Sequence, residues 1–434
     1  MKVLVIGGGG REHAILWALT RTSGKLLELY CTPGNAGIAK IAECVELPLK
    51  NHAALIEFVR SQGIDLTIVG PEAPLAAGIV DEFQLNSLRI VGPTQAAARL
   101  ESSKAFAKDF MRRHGIPTAE YLVVNSRDEA FAALRSGKFG SANSPVVIKA
   151  DGLAAGKGVV VARSRNDAEQ AVADIAGGTL VAAEAAKQIV IEEALEGREV
   201  SVLLFADGQA YALMPPARDH KRIGENDTGP NTGGMGAITD QSVVDRATLE
   251  QITREVVEPT LKGAAEEGFP FHGILFVGLM LTADGPKVLE YNVRSGDPET
   301  QAILMRLESD LLAIFAATID GRLSELEIEW SGKSSACVVL ASAGYPGSYR
   351  SGDEINGIES ATAEGNVQLF HAGTRIENES VVTAGGRVLG VSALDATLPG
   401  ALQKCYQAID RLAWPGMQYR RDIGKFSESL KAGN

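Results

Sequence analysis

Cysteine is scarce in this sequence: the four present, Cys31, Cys44, Cys337 and Cys405, stand far apart with no CxxC pair. That excludes a disulfide framework and makes a reducing, cytoplasmic setting the expectation. The six histidines (13, 52, 114, 220, 272 and 371) also lie singly, so no zinc-type cluster is present. Nowhere do about 18 apolar residues run together, which excludes a membrane-spanning helix. The opening run Met1 to Ile6 passes straight into glycines and is too short for the apolar region of a signal peptide. Positive charge is in the minority, with 42 Lys and Arg against 54 Asp and Glu and a net charge of -12. An acidic surface argues against nucleic acid or an anionic membrane as principal partner, and leaves room for a local basic cleft around a small phosphate. There is no internal repeat and no low-complexity segment.

What is present is the balance of an ordinary globular protein: 434 residues, 45% hydrophobic and 22% charged, with 47 Gly and 17 Pro. At about 150 residues per domain the length suggests roughly three. Residues 1–100 alternate short apolar runs with helical segments: Val3 to Ile6, a glycine turn, a helix through Glu12 to Thr20, a strand from Leu26 to Tyr30, then Leu66 to Val69 and Leu88 to Val91. This predicts a parallel, doubly wound sheet, with Gly70-Pro71 and Gly92-Pro93 at the carboxyl ends of strands, where ligands sit in such folds. From about 101 to 325 the strands are separated by longer insertions, read as a mixed α/β unit with an inserted smaller lobe at about 120–195. Residues 326–434 return to short β segments followed by a helix over 398–412, and form a small β-rich third domain.

Two glycine clusters invite phosphate readings. Gly7-Gly8-Gly9-Gly10 follows the first strand, but the third position of a dinucleotide fingerprint falls on Glu12 or His13, and the second strand leads into Thr32-Pro33-Gly34-Asn35 with no acidic ribose ligand. The turn is left either to hold a single phosphate or ribose group or to be only a tight turn. Gly152-Leu153-Ala154-Ala155-Gly156-Lys157-Gly158 is one residue too short for a P-loop, and Gly158 stands where Ser or Thr would ligate magnesium. It joins two strands, so a flexible loop whose amides close over phosphate oxygens is the expectation.

Lys149 ends the strand entering that loop and Lys104 opens the preceding helix; each alone reads as a surface lysine. The exposed backbone of Glu192-Glu193-Ala194-Leu195 is a candidate for an adenine edge, with Glu199 for a ribose. Glu290 and Asn292, two apart on a strand, project from one face and offer two hard oxygen ligands suited to magnesium. Arg294 continues that face, where a guanidinium stabilises a phosphoryl group in transfer. The polar, glycine-laden stretch from Asp219-His220-Lys221 to Gly236 is too long for an idle loop and reads as substrate-binding.

With these residues in hand, the chain resembles the glycinamide ribonucleotide synthetase family of ATP-grasp enzymes, over essentially its whole length. The carriers are GGGGREHA at 7–14, GPEAPL at 70–75, KADGLAAGKGV at 149–159, DHKRIGENDTGPNTGGMGA at 219–237, RSGDPETQ at 294–301 and YRRDIG at 419–424. The resemblance implies an α/β fold with an ATP-grasp unit preceded by a Rossmann-like domain. It implies ligation of glycine to 5-phosphoribosylamine, giving glycinamide ribonucleotide, ADP and phosphate through glycyl phosphate, in purine biosynthesis. It makes Lys104, Lys149, Gly152, Gly156, Lys157, Gly158, Glu192, Glu193, Leu195 and Glu199 contacts of ATP, Glu290 and Asn292 ligands of Mg2+ (or Mn2+), and Arg294 with Asp297 neighbours of the reacting groups. Gly9, Gly10, Glu72, Asp219, His220, Lys221 and Arg421 are expected at the other substrates, Arg421 and the glycine amides on the 5-phosphate and Glu72 on the ribose. A monomer or weak dimer is expected. Two departures from the pattern are Ser295, where the family usually has Phe, and Gly278, where many ATP-grasp enzymes carry a further acidic metal ligand. The alternatives are another carboxylate–amine ligase or carboxylase of the same fold, or a non-catalytic ATP-binding paralogue.

Overall fold

The computed structural model describes residues 1–24, 26–153, 158–178 and 188–425. Near the N-terminus, the strands Lys2–Gly7, Glu28–Pro33, Glu43–Cys44, Leu66–Val69 and Ile90–Val91 form one sheet, paired in parallel throughout. Continuous burial of Val3 to Ile6 matches a strand covered on both faces. The second strand begins later than the sequence suggests, because Leu26 is 92% exposed while register pairs Lys2 with Glu28 and Gly7 with Pro33. The helix between the first two strands is also longer, Gly10–Thr22. Both Gly-Pro turns follow carboxyl ends of strands as expected.

A helix, Lys104–Arg113, starts where Ser103 accepts the Phe106 amide at 3.1 Å. Beyond it, Tyr121–Val124, Val146–Ala150, Val159–Ala162 and Ile189–Glu193 make a four-stranded antiparallel sheet with its own apolar core of Val124, Val146, Ile148, Val172 and Ile191. A second antiparallel sheet follows from Arg198–Asp207, Tyr211–Leu213, His272–Thr282 and Gly285–Asn292. Its core is continuous with that of the N-terminal sheet, running from Leu4 and Ile6 through Phe110 to Leu275 and Val277.

The last sheet holds Ser334–Ala341, Val367–His371 and Arg387–Asp395, backed by the helix Leu398–Ile409. It also recruits Arg218–Asp219 and Gly236–Thr239 from the middle of the chain. The glycine-laden stretch between those two strands is therefore no irregular loop. Its arms are tied by Thr232 N to Lys221 O at 2.7 Å and Met235 N to His220 O at 2.8 Å, and Arg222–Gly224 pairs with Thr228–Asn231. Period-2 apolar alternation is weak here, so backbone pairing, invisible in composition, sets the structure.

Candidate active site

On the strand Gly285–Asn292, Val288 and Tyr291 are buried, and the Tyr291 hydroxyl shares a 2.7 Å hydrogen bond with Thr260. Strict alternation would set Val288 with Glu290 and Asn292, but the strand bulges opposite Gly278 and Leu279, so Val288 and Tyr291 share the buried face and Glu290 and Asn292 turn to the other, toward the cleft between the two antiparallel sheets. Glu290 has no hydrogen bond or ion pair of its own among the described residues, yet four cations surround it. Burial pushes its carboxyl up, Lys221, Lys149, Lys104 and Arg294 pull it down, and the net direction is down, so it stays ionised. Opposite it in register stands Gly278, whose missing Cβ would lie 3.3 Å from the Glu290 Cγ. Unclaimed carboxylate oxygens beside an amide oxygen fit a hard divalent cation that takes its remaining ligands from water and phosphates. Among the described residues no cluster of three or more His, Cys, Asp or Glu is arranged to hold a metal, in keeping with so small a protein share.

The lysines are placed by carboxylates and carbonyls. Lys149 Nζ lies 2.9 Å from Glu192 and donates to Leu289 O at 3.0 Å, bridging the two antiparallel sheets. Lys104 Nζ donates to Gly152 O at 2.9 Å, while Asp151 accepts from Ser103 and Ala105 at that helix start. Lys221 Nζ pairs with Glu199 at 3.0 Å; burial lowers its pKa, but Glu199, Asp219 and Glu290 together raise it well above the ordinary value.

Arg294 donates to Asn292 Oδ1 at 3.0 Å and lies 3.0 Å from Glu101 and 3.5 Å from Glu72. Asn292 must therefore share its oxygen between the guanidinium and any cation. Asp297 accepts from Gln301 at 2.7 Å, and a Cβ on Gly9 would sit 3.5 Å from its Oδ2. The structure thus brings the helix starts that follow two strands of the N-terminal sheet against this segment: Gly9 to Asp297, Gly10 to Gln301 and Glu72 to Arg294.

Several expectations are corrected. Glu192 is no exposed linker residue: it lies within the strand Ile189–Glu193, 1% exposed, between Lys149 and Lys108. The Gly9 amide is already committed, donating to Glu12 Oε2 at 2.6 Å, so it is not a free phosphate donor. Arg421 is exposed, its guanidinium over Tyr419 and its amide on Glu225, and among the described residues no contact joins it to Gly9, Gly10 or Glu72. Its neighbour Arg420 is 1% exposed, held by Asp422 and Asp227. His220 is buried, with Nε2 accepting the Gly424 amide at 2.9 Å; burial, then Arg420, push its pKa down to about 4, so it braces the C-terminal segment as a neutral ring. Asp219 is pushed up by burial, Lys221 opposing, and stands beside Glu199 and Glu290. Glu193 caps the Glu120 amide at 3.0 Å and Leu195 lies in the connection between the two antiparallel sheets. Gly152 and Gly158 flank the glycine loop; Gly156 and Lys157 lie outside the described residues.

Sequence reasoning missed Glu101, Glu12, Arg11, Lys108 and Arg387. Glu12 had a signal: its side chain fills the space that Cβ atoms on Gly7 and Gly70 would need, so two glycines in different motifs are small for one carboxylate. Arg11 pairs with Glu12 at 2.6 Å and donates to Ser295 O at 3.0 Å. Ser295 itself lines an apolar cavity with Ile15, Phe205, Met214, Ile274 and Phe315. That cavity measures only about 10 Å³, room for about one water, so Ser295→Phe should overpack it and destabilise the protein by about 1–3 kcal/mol; an unchanged or raised thermal midpoint would show that the surrounding helices open to take the ring.

Two antiparallel sheets meeting at a lysine-lined cleft, with Glu290 and Asn292 on the second of them, are the arrangement of an ATP-grasp protein. The chain belongs to the phosphoribosylglycinamide synthetase family: its N domain model matches residues 1–101, its ATP-grasp (A) domain model 102–300 and its C domain model 335–426. Phosphoribosylamine–glycine ligases of Brucella melitensis and Vibrio cholerae are 47% and 46% identical, over 98% of this chain and 97% and 98% of those proteins. The solved phosphoribosylamine–glycine ligase of Thermotoga maritima has a TM-score of 0.80 at 32% identity, covering 97% of this chain and all of that one. A biotin carboxylase–ATP-analogue complex from Campylobacter jejuni, at 17% identity and a TM-score of 0.71 over 96% of this chain and 92% of its own, shares the fold.

Proposed function

We propose that the cleft around Glu290 carries out the reaction of the family: ATP-dependent joining of glycine to 5-phosphoribosylamine, giving glycinamide ribonucleotide, ADP and phosphate in purine biosynthesis. The observation that carries this reading is the convergence of Lys104, Lys149, Lys221 and Arg294 on one ionised carboxylate. Such a field suits a triphosphate, whose charge the lysines match. ATP with a divalent cation is the nucleotide form; Mg2+, or Mn2+ in its place, is our reading of the ion, with Glu290 and Asn292 as the residues that would hold it. Once bound, it would neutralise developing phosphate charge.

A carboxylate is a poor acylating agent because its leaving group is oxide. In our reading the glycine carboxylate attacks the γ-phosphorus, ADP leaves, and the amine then displaces phosphate from glycyl phosphate to form the amide. Arg294 stabilises charge on the transferring group, and Asp297 orients the carboxyl-side partner from the adjoining turn. Phosphoribosylamine is placed against the Gly9–Gly10 turn and Glu72, which adjoin that turn; Arg421 and His220 are left out on the contacts above. Lys149, Lys104 and Gly152, Gly158 border the nucleotide, and the glycine loop excludes water from the acyl phosphate. The division near residues 100 and 325, with a smaller lobe at about 120–195, is proposed with it, supported by that lobe's separate core.

Omitting substrates one at a time tests the reading. Beyond one equivalent per protein, ADP should form only when glycine and phosphoribosylamine are both supplied. ADP formation with bicarbonate in place of glycine would instead identify a carboxylase of the same fold, and nucleotide binding without turnover a non-catalytic paralogue.

A further inference from the structure

Arg387 opens the strand Arg387–Asp395 of the last sheet, outside the ATP-grasp lobes, yet its guanidinium reaches the proposed reaction centre. Nη1 donates to the carbonyls of Gly233 at 2.5 Å and Asp297 at 2.7 Å, and Nη2 lies 3.3 Å from Asp297 Oδ2. The fit is close on both sides. A Cβ on Gly233 would come within 2.9 Å of the guanidinium carbon, and one on Gly234, where φ is +110°, within 2.5 Å of Pro298 Cδ. The Gly233 amide is in turn held by the Tyr345 hydroxyl at 2.9 Å, again from the last sheet's region.

We propose that Arg387 is a positioning residue for the ligation, locking both the main chain and the carboxylate of Asp297 against the Gly233–Gly234 turn so that a residue of the C-terminal region sets the geometry of the reacting turn. The inference rests on the reading of Asp297 as a participant. A planar fork spreads its donors over separate nitrogens and so reaches two carbonyls and a carboxylate in fixed directions, whereas the three donors of lysine radiate from one freely turning nitrogen. The same turn continues through Thr232, whose hydroxyl donates to Lys221 O at 2.9 Å, so the arginine also ties down the segment that carries Lys221. The charged and titratable groups facing Asp297 are Arg387, Arg11 from the first helix, Arg294 on its own segment and the Cys337 thiol, with Glu12 beyond Gly9. Burial pushes the Asp297 carboxyl up; Arg387 is the largest of the charges that more than offset this.

The test compares Arg387→Met, Arg387→Lys and Asp297→Asn in the full-length protein, by kcat, KM for each substrate and the pH profile of kcat/KM. Arg387→Met should lower kcat by about 10²-fold, the cost of a displacement near 1 Å, with KM for ATP within twofold. Its acid limb should move to higher pH, because Asp297 loses its chief stabilising charge. Arg387→Lys should keep the acid limb in place and recover part of kcat, and it carries the same test if the methionine variant does not fold. An inactive Asp297→Asn beside a fully active Arg387→Met overturns the inference alone. A fully active Asp297→Asn overturns the reading of Asp297 instead. Loss of thermal stability with kcat and every KM changed together and an unmoved acid limb reduces Arg387 to a structural tie.

Discussion

Replacing Glu290 by Gln should lower kcat/KM by about 10³-fold or more, the scale set by loss of one preorganised electrostatic group in a closed site, while leaving the fold intact. The fold should survive because the strand's register with His272–Thr282 is made by main chain, and its core anchors are Val288 and Tyr291. What the amide removes is the shared counter-charge of Lys221, Lys149, Lys104 and Arg294. Two effects then oppose each other. Metal-free ATP, an anion, gains from four uncompensated cations and should bind at least as tightly as to the unaltered protein. Turnover, which needs the carboxylate oxygen for the cation, should collapse. ATP binding measured by calorimetry in the presence of a chelator, alongside steady-state kinetics at saturating magnesium, separates the two. Turnover within tenfold of the parent would remove Glu290 from the metal site, and weakened chelator-phase binding would mean that the lysines face elsewhere.

Much of this site was legible because its residues lie close in sequence on regular elements. Glu290 and Asn292 share a strand face by spacing and Arg294 continues it, whereas Asp297, in the turn beyond, came only from the family resemblance. The parallel sheet was readable for the same reason: its apolar runs and Gly-Pro turns are local signals. Contacts formed across hundreds of residues left no such trace. Arg387 meets Asp297 only because the last sheet recruits Gly236–Thr239, and nothing in the composition near either residue announces that pairing. Lys108 resembles any helical surface lysine until the fold closes Glu192 and Thr118 around it at 3.0 and 2.7 Å. Arg421 failed in the opposite direction. Adjacent arginines are equivalent in sequence, but the chain buries Arg420 against two aspartates and turns Arg421 outward onto Tyr419. Glycines proved the more informative residues where a particular side chain explains them, as Glu12 explains Gly7 and Gly70.

Arg294→Met should abolish measurable ligation, a loss of about 10³-fold or more by analogy with other arginines that stabilise a phosphoryl group in transfer, and should also destabilise the protein in a pH-dependent way. The second effect comes from Glu101. Its side chain is 8% exposed, accepts the Val293 amide at 2.7 Å and pairs with Arg294 at 3.0 Å. Burial pushes its carboxyl up, Glu72 pushes the same way, and Arg294 is the largest influence pulling down, with the net direction already upward. Without the guanidinium the carboxylate is buried and unpaired, a situation that typically costs about 3–5 kcal/mol. The sign follows from proton binding. A carboxyl whose folded-state pKa lies above its unfolded value holds more protons when folded, so stability is greatest below the unfolded pKa and falls as pH rises toward the folded one. The gap in thermal midpoint between the parent and Arg294→Met should therefore be wider at pH 8 than at pH 5. Adding Glu101→Gln removes the stranded charge while its amide oxygen can still accept from Val293. The double variant should regain most of the stability lost at pH 8 and none of the activity. A stability gap independent of pH would show that Glu101 is not the group stranded, and a double variant with restored turnover would move the phosphoryl role from Arg294 to the neighbouring lysines.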